Sequence, residues 1–117
     1  MHLSLLEQQA GITYNKNTIF SGKVDIVVVA LMTLELRLEA HSLKEKRMVV
    51  KSVLSRMHQR YNLSVYEAAC QDVHNHASLA AAWVGPDTDG ARRVLEKAIG
   101  LAEQAGAEVV GQGIEFF

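Results

Sequence analysis

Residues 25–47 read DIVVVALMTLELRLEAHSLKEKR, and the change of period inside this stretch decides the fold. From Asp25 to Glu39 the side chains alternate. Ile26, Val28, Ala30, Met32, Leu34, Leu36 and Leu38 share one parity and so line one face of an extended strand. The other parity begins apolar, at Val27, Val29 and Leu31, and turns polar at Thr33, Glu35, Arg37 and Glu39. One face is therefore buried throughout, and the other is covered for half its length or meets a partner there. At Ser42-Leu43-Lys44-Glu45 the period becomes helical. The Ser42 hydroxyl can accept from the amide of Glu45 while Glu45 reaches back to the amide of Ser42, which is a capping box. An apolar stripe at Leu43, Val50, Val53, Leu54, Met57 and Tyr61 follows, and Asn62, tolerant of the left-handed conformation, closes the helix.

Outward from this stretch the same signals repeat. Leu63 to Asp72 and Ala77 to Val84 read as strands, joined by a hairpin connection at residues 73–76. Pro86-Asp87 stops the second of them, and Asp87 is the expected N-cap of another helix. Its buried stripe is Ala91, Val94, Leu95, Ala98, Ile99, Ala102 and Ala105, with Gly106 where a C′ glycine belongs. A last strand runs from Glu108 to Phe117, with Gly111 and Gly113 marking a bulge. The order is β-α-β-β-α-β. Two right-handed crossovers joined by a hairpin predict an α+β, ferredoxin-like sandwich: a four-stranded antiparallel sheet with both helices on one face. The other face is left open to water, a second subunit or a ligand.

Residues 24–117 account for that single domain. Residues 1–23, with Gly11, Asn15, Asn17, Ser21 and Gly22 scattered through them, read as an N-terminal extension, poorly ordered or loosely docked, with short strands at 12–14 or 18–20 as its only regular candidates. With 49% hydrophobic and 21% charged residues, the 117-residue chain has the composition of one soluble globular domain and not of a disordered protein. A single cysteine, Cys70, excludes an internal disulfide framework and suits a reducing cytoplasm. The longest apolar run, Ile26 to Met32, is seven residues, far short of the ~20 that span a bilayer. No signal peptide is expected either, since no basic segment precedes a continuous apolar core.

Charge is the second distinctive feature. Lys44, Lys46, Arg47, Lys51, Arg56 and Arg60, half of the 12 Lys and Arg, lie within 17 residues opposed only by Glu45. That segment carries +5 and the remainder −6, so the total of −1 conceals a polarised molecule. Lys44, Arg47 and Lys51 recur at i, i+3 and i+7 on one stripe of the helix, and Arg56 and Arg60 share another. Several point charges on one element attract a polyanion through counterion release, and Arg adds bidentate phosphate geometry. The bland alternative is a solvated helix face, with Lys44 to Arg47 paired to Glu35, Glu39 or Glu45. Cations at a helix start oppose its macrodipole by a few tenths of a kcal/mol each, a small cost that an acidic partner would offset.

The run Leu34-Glu35-Leu36-Arg37-Leu38, then His41-Ser42-Leu43-Lys44-Glu45-Lys46-Arg47 and Val50-Lys51-Ser52, resembles the YlxP-like family (domain of unknown function 503) of small bacterial proteins. Tyr61-Asn62-Leu63-Ser64-Val65 with Glu67, Gln71-Asp72, and Arg93-Val94-Leu95-Glu96-Lys97 extend the resemblance over residues 24–117. The resemblance implies the ferredoxin-like fold. It also implies an RNA or ribosome connection, because genes of such proteins often lie near translation and ribosome-maturation factors; no activity is established for the family. The chain departs from the family pattern Gln-Asp-x-Trp-Gln-Arg at Gln71-Asp72-Val73-His74-Asn75-His76, so the aromatic and Arg of that pattern have no direct counterparts.

The remaining candidate residues have structural explanations. Cys70, Asp72, His74 and His76 would share a face only on an unbroken strand, and the hairpin expected there separates them, so no metal site is expected. Ser42 is explained as an N-cap, and His41 is its sequence neighbour rather than a base poised across a site. Cys70 has no flanking cation to lower its pKa. Tyr66, Trp83, Phe116 and Phe117 could stack bases on the open sheet, but packing in the core or at an interface accounts for them better. Walker loops, G-x-G-x-x-G and paired C-x-x-C motifs are absent from the sequence, so neither catalysis nor a cofactor is expected. Two functions compete. The leading expectation is a non-catalytic RNA- or ribosome-associated accessory factor working through its basic helix. The alternative is a homodimeric structural or regulatory module, joined through Val27, Val29 and Leu31 of the open sheet face and binding an acidic protein or a small anionic ligand.

Overall fold

Alternating burial along the first strand sets the architecture. The computed structural model describes residues 27–117; the expectations for residues 1–23, and for Asp25 and Ile26 of the first strand, lie outside the described residues. In chain order the elements are β1 (Val28–Arg37), α1 (Leu43–Tyr61), β2 (Ser64–Ala69), β3 (His76–Gly85), α2 (Thr88–Gln104) and β4 (Glu108–Phe116). The strands form one sheet in the order β2-β3-β1-β4, with every neighbouring pair antiparallel. This is the ferredoxin-like α+β sandwich expected from the sequence.

Even-numbered residues of β1, from Val28 to Leu36, are buried against Val50, Val53 and Met57 of α1 and Ala91, Leu95, Ala98, Leu101 and Ala102 of α2. Each large apolar side chain buried in this way contributes roughly 1.5–3 kcal/mol. Both helices cover the same face, so the odd-numbered residues of β1 belong to the uncovered one. Val29 and Leu31 remain 38% and 37% exposed there.

The helix boundaries follow local chemistry. Ser42 Oγ accepts from the amide of Glu45 at 3.1 Å. Glu45 reaches back one residue further than the capping box requires, its Oε2 accepting from the amide of His41 at 2.6 Å. Asn62 closes α1 in the left-handed conformation, φ 53°. Asp87 caps α2 by accepting from the amide of Gly90 at 2.6 Å. At its far end the Ala107 amide donates to Ala102 O and the Gly106 amide to Glu103 O, a Schellman closure with Gly106 at φ +95°.

Three strand details differ from or refine the expectation. β2 stops at Ala69 instead of Asp72, because Cys70 adopts φ +68° and opens the turn to β3. The β2–β3 register shifts between Glu67 and Ala69. The bulge expected in β4 falls at Val110, opposite the step from Glu35 to Leu36.

Candidate nucleic-acid interface

α1 completes a turn every 3.6 residues, and this spacing sorts its basic residues into three sets. Lys44, Arg47 and Lys51 are exposed along one stripe of the helix, and the last two border β2. There Arg47 and Lys51, with Val50, Leu54 and Ser55, form one side of an open groove of about 510 Å³ whose other side is Glu67 of β2. Arg56 and Arg60 follow Val49 at i+7 and i+11 and are exposed along the opposite flank, where Val49 approaches Ala105 and Gly106 after α2. Among the described residues, none of these five cations lies within 4.0 Å of a carboxylate; the pairs formed are Arg37–Glu108, Lys46–Glu67 and His76–Glu35. Pairing of the α1 surface with Glu35, Glu39 or Glu45 is thereby replaced by free, solvated charge.

Lys46 is the correction. Expected on the basic surface, it is 0% exposed and is the only buried charged residue among those described. It stands at i−4, i−7 and i−11 from Val50, Val53 and Met57, the buried residues of α1, so the helix turns it inward. Its Nζ lies 2.7 Å from Glu67 Oε2, although the carboxylate oxygen is not reached with ordinary hydrogen-bond geometry. The better-directed bond goes to the Cys70 carbonyl, which also accepts from the Val73 amide at 3.0 Å. Lys46 thus ties α1 to the β2–β3 turn and holds Cys70 in its left-handed conformation. A buried ammonium is tolerated only when paired and bonded in this way. Its spacing to the apolar stripe was the available signal.

A second polar cluster occupies one end of the open sheet face. Pairing of β1 with β3 sets Glu35 opposite Ser78 and Arg37 opposite His76. Ser78 Oγ donates to Glu35 Oε1 at 2.6 Å, and His76 Nε2 meets the same oxygen at 2.9 Å. Those two hydrogen bonds, the one from Ser78 first, hold the Glu35 carboxyl below its ordinary pKa. Cys70 Sγ lies 3.9 Å from Ser78 Oγ, and Arg37 Nε donates to Glu108 Oε1 at 2.9 Å beyond it. His74 and Asp72 are exposed in the turn, apart from this cluster. Both hydrogen bonds converge on one carboxylate oxygen of Glu35.

The four aromatic candidates divide between faces. Ala30 pairs with Trp83 on one side and Phe116 on the other, and both rings pack against the core. A Cβ at Gly85 would stand 2.1 Å from the Trp83 ring, so glycine is what lets the indole fold back there. Arg92 stacks over Phe116 at 5.3 Å. Tyr66 and Phe117 remain exposed, as do Val29, Leu31 and Val84.

A family profile described as a protein of unknown function (DUF503) matches residues 29–112, most of the chain and nearly all of the described fold. The chain belongs to the DUF503 family. No curated protein matches the chain. Among solved structures, this DUF503 chain is similar to the de novo designed protein Foldit4, with 12% identity and a TM-score of 0.46 over 79% of the chain and 97% of the design. It is also similar to SnoaB, a cofactor-independent oxygenase from Streptomyces nogalater, with 16% identity and a TM-score of 0.46 over 77% and 90% of the two chains. A third likeness is to a dinuclear metal-binding M20-family peptidase from Bacillus subtilis, with 14% identity and a TM-score of 0.45 over 78% of this chain and 26% of that one. None of these likenesses bears on what the chain does.

Proposed function

We propose that this DUF503 protein is a non-catalytic, cytoplasmic accessory factor that associates with RNA or a ribosomal particle by seating phosphates on α1. The supporting observation is a single one: Lys44, Arg47, Lys51, Arg56 and Arg60 are all exposed, and among the described residues none is within 4.0 Å of a carboxylate. Solvated cations with no internal partner release condensed counterions when they meet a polyanion, and this term dominates nucleic-acid affinity. The buried Lys46 contributes nothing to it. Co-sedimentation with isolated ribosomal subunits at increasing salt tests the proposal. The protein is expected to pellet with subunits at low salt and to be released as salt rises. Failure to pellet above the level of an unrelated acidic protein would contradict it.

The exposed apolar residues favour a second reading. Val27, Val29 and Leu31 are 40%, 38% and 37% exposed, and Val29 pairs with the exposed Val84 and accepts at its carbonyl from the Phe117 amide. An apolar patch of this kind suits the homodimer interface considered above, with the α1 cations then meeting an acidic protein or a small anionic ligand. Light scattering over a concentration series would report a doubling of mass that Val29→Lys abolishes; a constant monomer mass would exclude it.

A further inference from the structure

Among the described residues Tyr66 is the aromatic ring on β2, the strand that borders the α1 groove, and it is turned away from the core. It is 64% exposed, in the middle of the edge strand β2. Its neighbours across the open face are small: Ala80 pairs with it, Thr33 with Ala80, and Gly113 with Thr33. No hydrogen bond, ion pair or ring contact engages Tyr66 among the described residues. A large amphipathic side chain in that position leaves a ring face bare beside a floor of short side chains, with space for a planar group to lie on it.

What singles it out is the residue after it. Successive side chains of a strand point to opposite faces. Glu67 therefore turns to the helix side, where it pairs with Lys46 and borders the groove beside Arg47 and Lys51. The bare ring and the unpaired cations are thus the two sides of one edge strand. Among the described residues that edge carries no further strand in the sheet, and a chain can pass over it from one side to the other. An extended polyanion whose repeating unit is a phosphate and a flat aromatic group matches this arrangement. Duplex RNA does not, because its bases are stacked and paired away from such a ring.

We infer that single-stranded RNA crosses the β2 edge, with its phosphates on Arg47 and Lys51 of the groove and one base stacked on Tyr66. This rests on the reading of α1 as an RNA-binding element and adds to it the strandedness of the partner and the site of base contact. Trp83 and Phe116 face the core and offer no ring to a further base.

Fluorescence anisotropy of an oligonucleotide of about 12 residues, within the site sizes of single-strand binders, tests it in single-stranded and duplex form. Tyr66→Ala is expected to weaken single-strand binding roughly 5- to 150-fold, the range of one lost stacking contact. Tyr66→Phe, which keeps the ring, is expected to bind like wild type. Neither should change the slope of log K against log salt, because no charge is removed, whereas Lys51→Gln should flatten it by about 0.7. Photo-cross-linking of a 4-thiouridine oligonucleotide to the unmodified protein should label the peptide that holds Tyr66, a readout independent of variant folding. Salt-dependent RNA binding that Tyr66→Ala leaves unchanged, with cross-links elsewhere, would overturn the inference while the α1 reading stood. Absence of binding to either form by wild type would remove both. Loss of mass, rather than of RNA affinity, in Tyr66→Ala would assign the ring to a protein interface and overturn the inference.

Discussion

At the scale of single residues, Lys46 separates what the basic run contributes to the fold from what it leaves at the surface. Its ammonium is buried, contacts Glu67 and bonds the Cys70 carbonyl. Lys46→Met should therefore destabilise the protein by about 3 kcal/mol in urea unfolding, since it strands Glu67 in a mostly buried position. Lys46→Met/Glu67→Leu should recover most of that loss. A single substitution costing under ~0.5 kcal/mol would contradict the assignment. Lys46 was legible in part. The sequence reading sets it among the surface cations, although its phase matches Val50, Val53 and Met57 of the buried stripe; its partner depends on where β2 docks against α1, which no local pattern encodes. Glu35 makes a prediction in pH. Its pKa is lowered in the fold by Ser78 and then His76, so its contribution is complete above the unfolded glutamate pKa and is lost as pH falls through the folded value. Wild type should exceed Glu35→Gln in stability at pH 7, and the gap should close as pH falls below about 4.3. The side chain is 43% exposed, so the gap should be small. A gap that is constant down to pH 2 would refute it.

At the scale of elements, the helix ends were readable because capping is local. Ser42, Asp87, Asn62 and Gly106 each act within a few residues of their own position, and each sits where its chemistry predicts. Ser42→Ala should cost about 1 kcal/mol. Gly85→Ala should cost more, about 2 kcal/mol or above, because the added methyl meets the Trp83 ring and the indole must leave its packed rotamer. Thermal unfolding ranks the two; the reverse order would show that the indole is free to move. The end of β2 was less legible. Its last residues have strand composition, but a contact from α1 holds the Cys70 carbonyl and Cys70 takes a positive φ, so tertiary structure ends the strand before its composition does. The aromatic residues were sortable by parity alone. Trp83 shares its parity with the buried Leu79 and Ala81, whereas Tyr66 falls on the other side from Val65, which packs against the core.

For the molecule as a whole, the period change within residues 25–47 and the β-α-β-β-α-β order were enough to reach the sheet topology, because right-handed crossovers leave few alternatives. The Glu35–Ser78–His76 cluster was not reachable in that way, since it depends on the exact β1–β3 register. The open face and the basic helix both followed from pattern. What the pattern could not separate is surface charge that is internally paired from surface charge that is not; among the described residues the five exposed cations of α1 have no carboxylate within 4.0 Å, and neither do Arg92, Arg93 and Lys97 of α2. The most direct measurement is therefore the salt dependence of binding to labelled cellular RNA, wild type beside the Lys44→Glu/Arg47→Glu/Lys51→Glu variant. The account predicts a log–log slope of roughly −2 to −4 for wild type, as for three to five phosphate contacts on a single strand, and loss of most affinity in the variant. A slope near zero, or a variant that binds as wild type does, would contradict it.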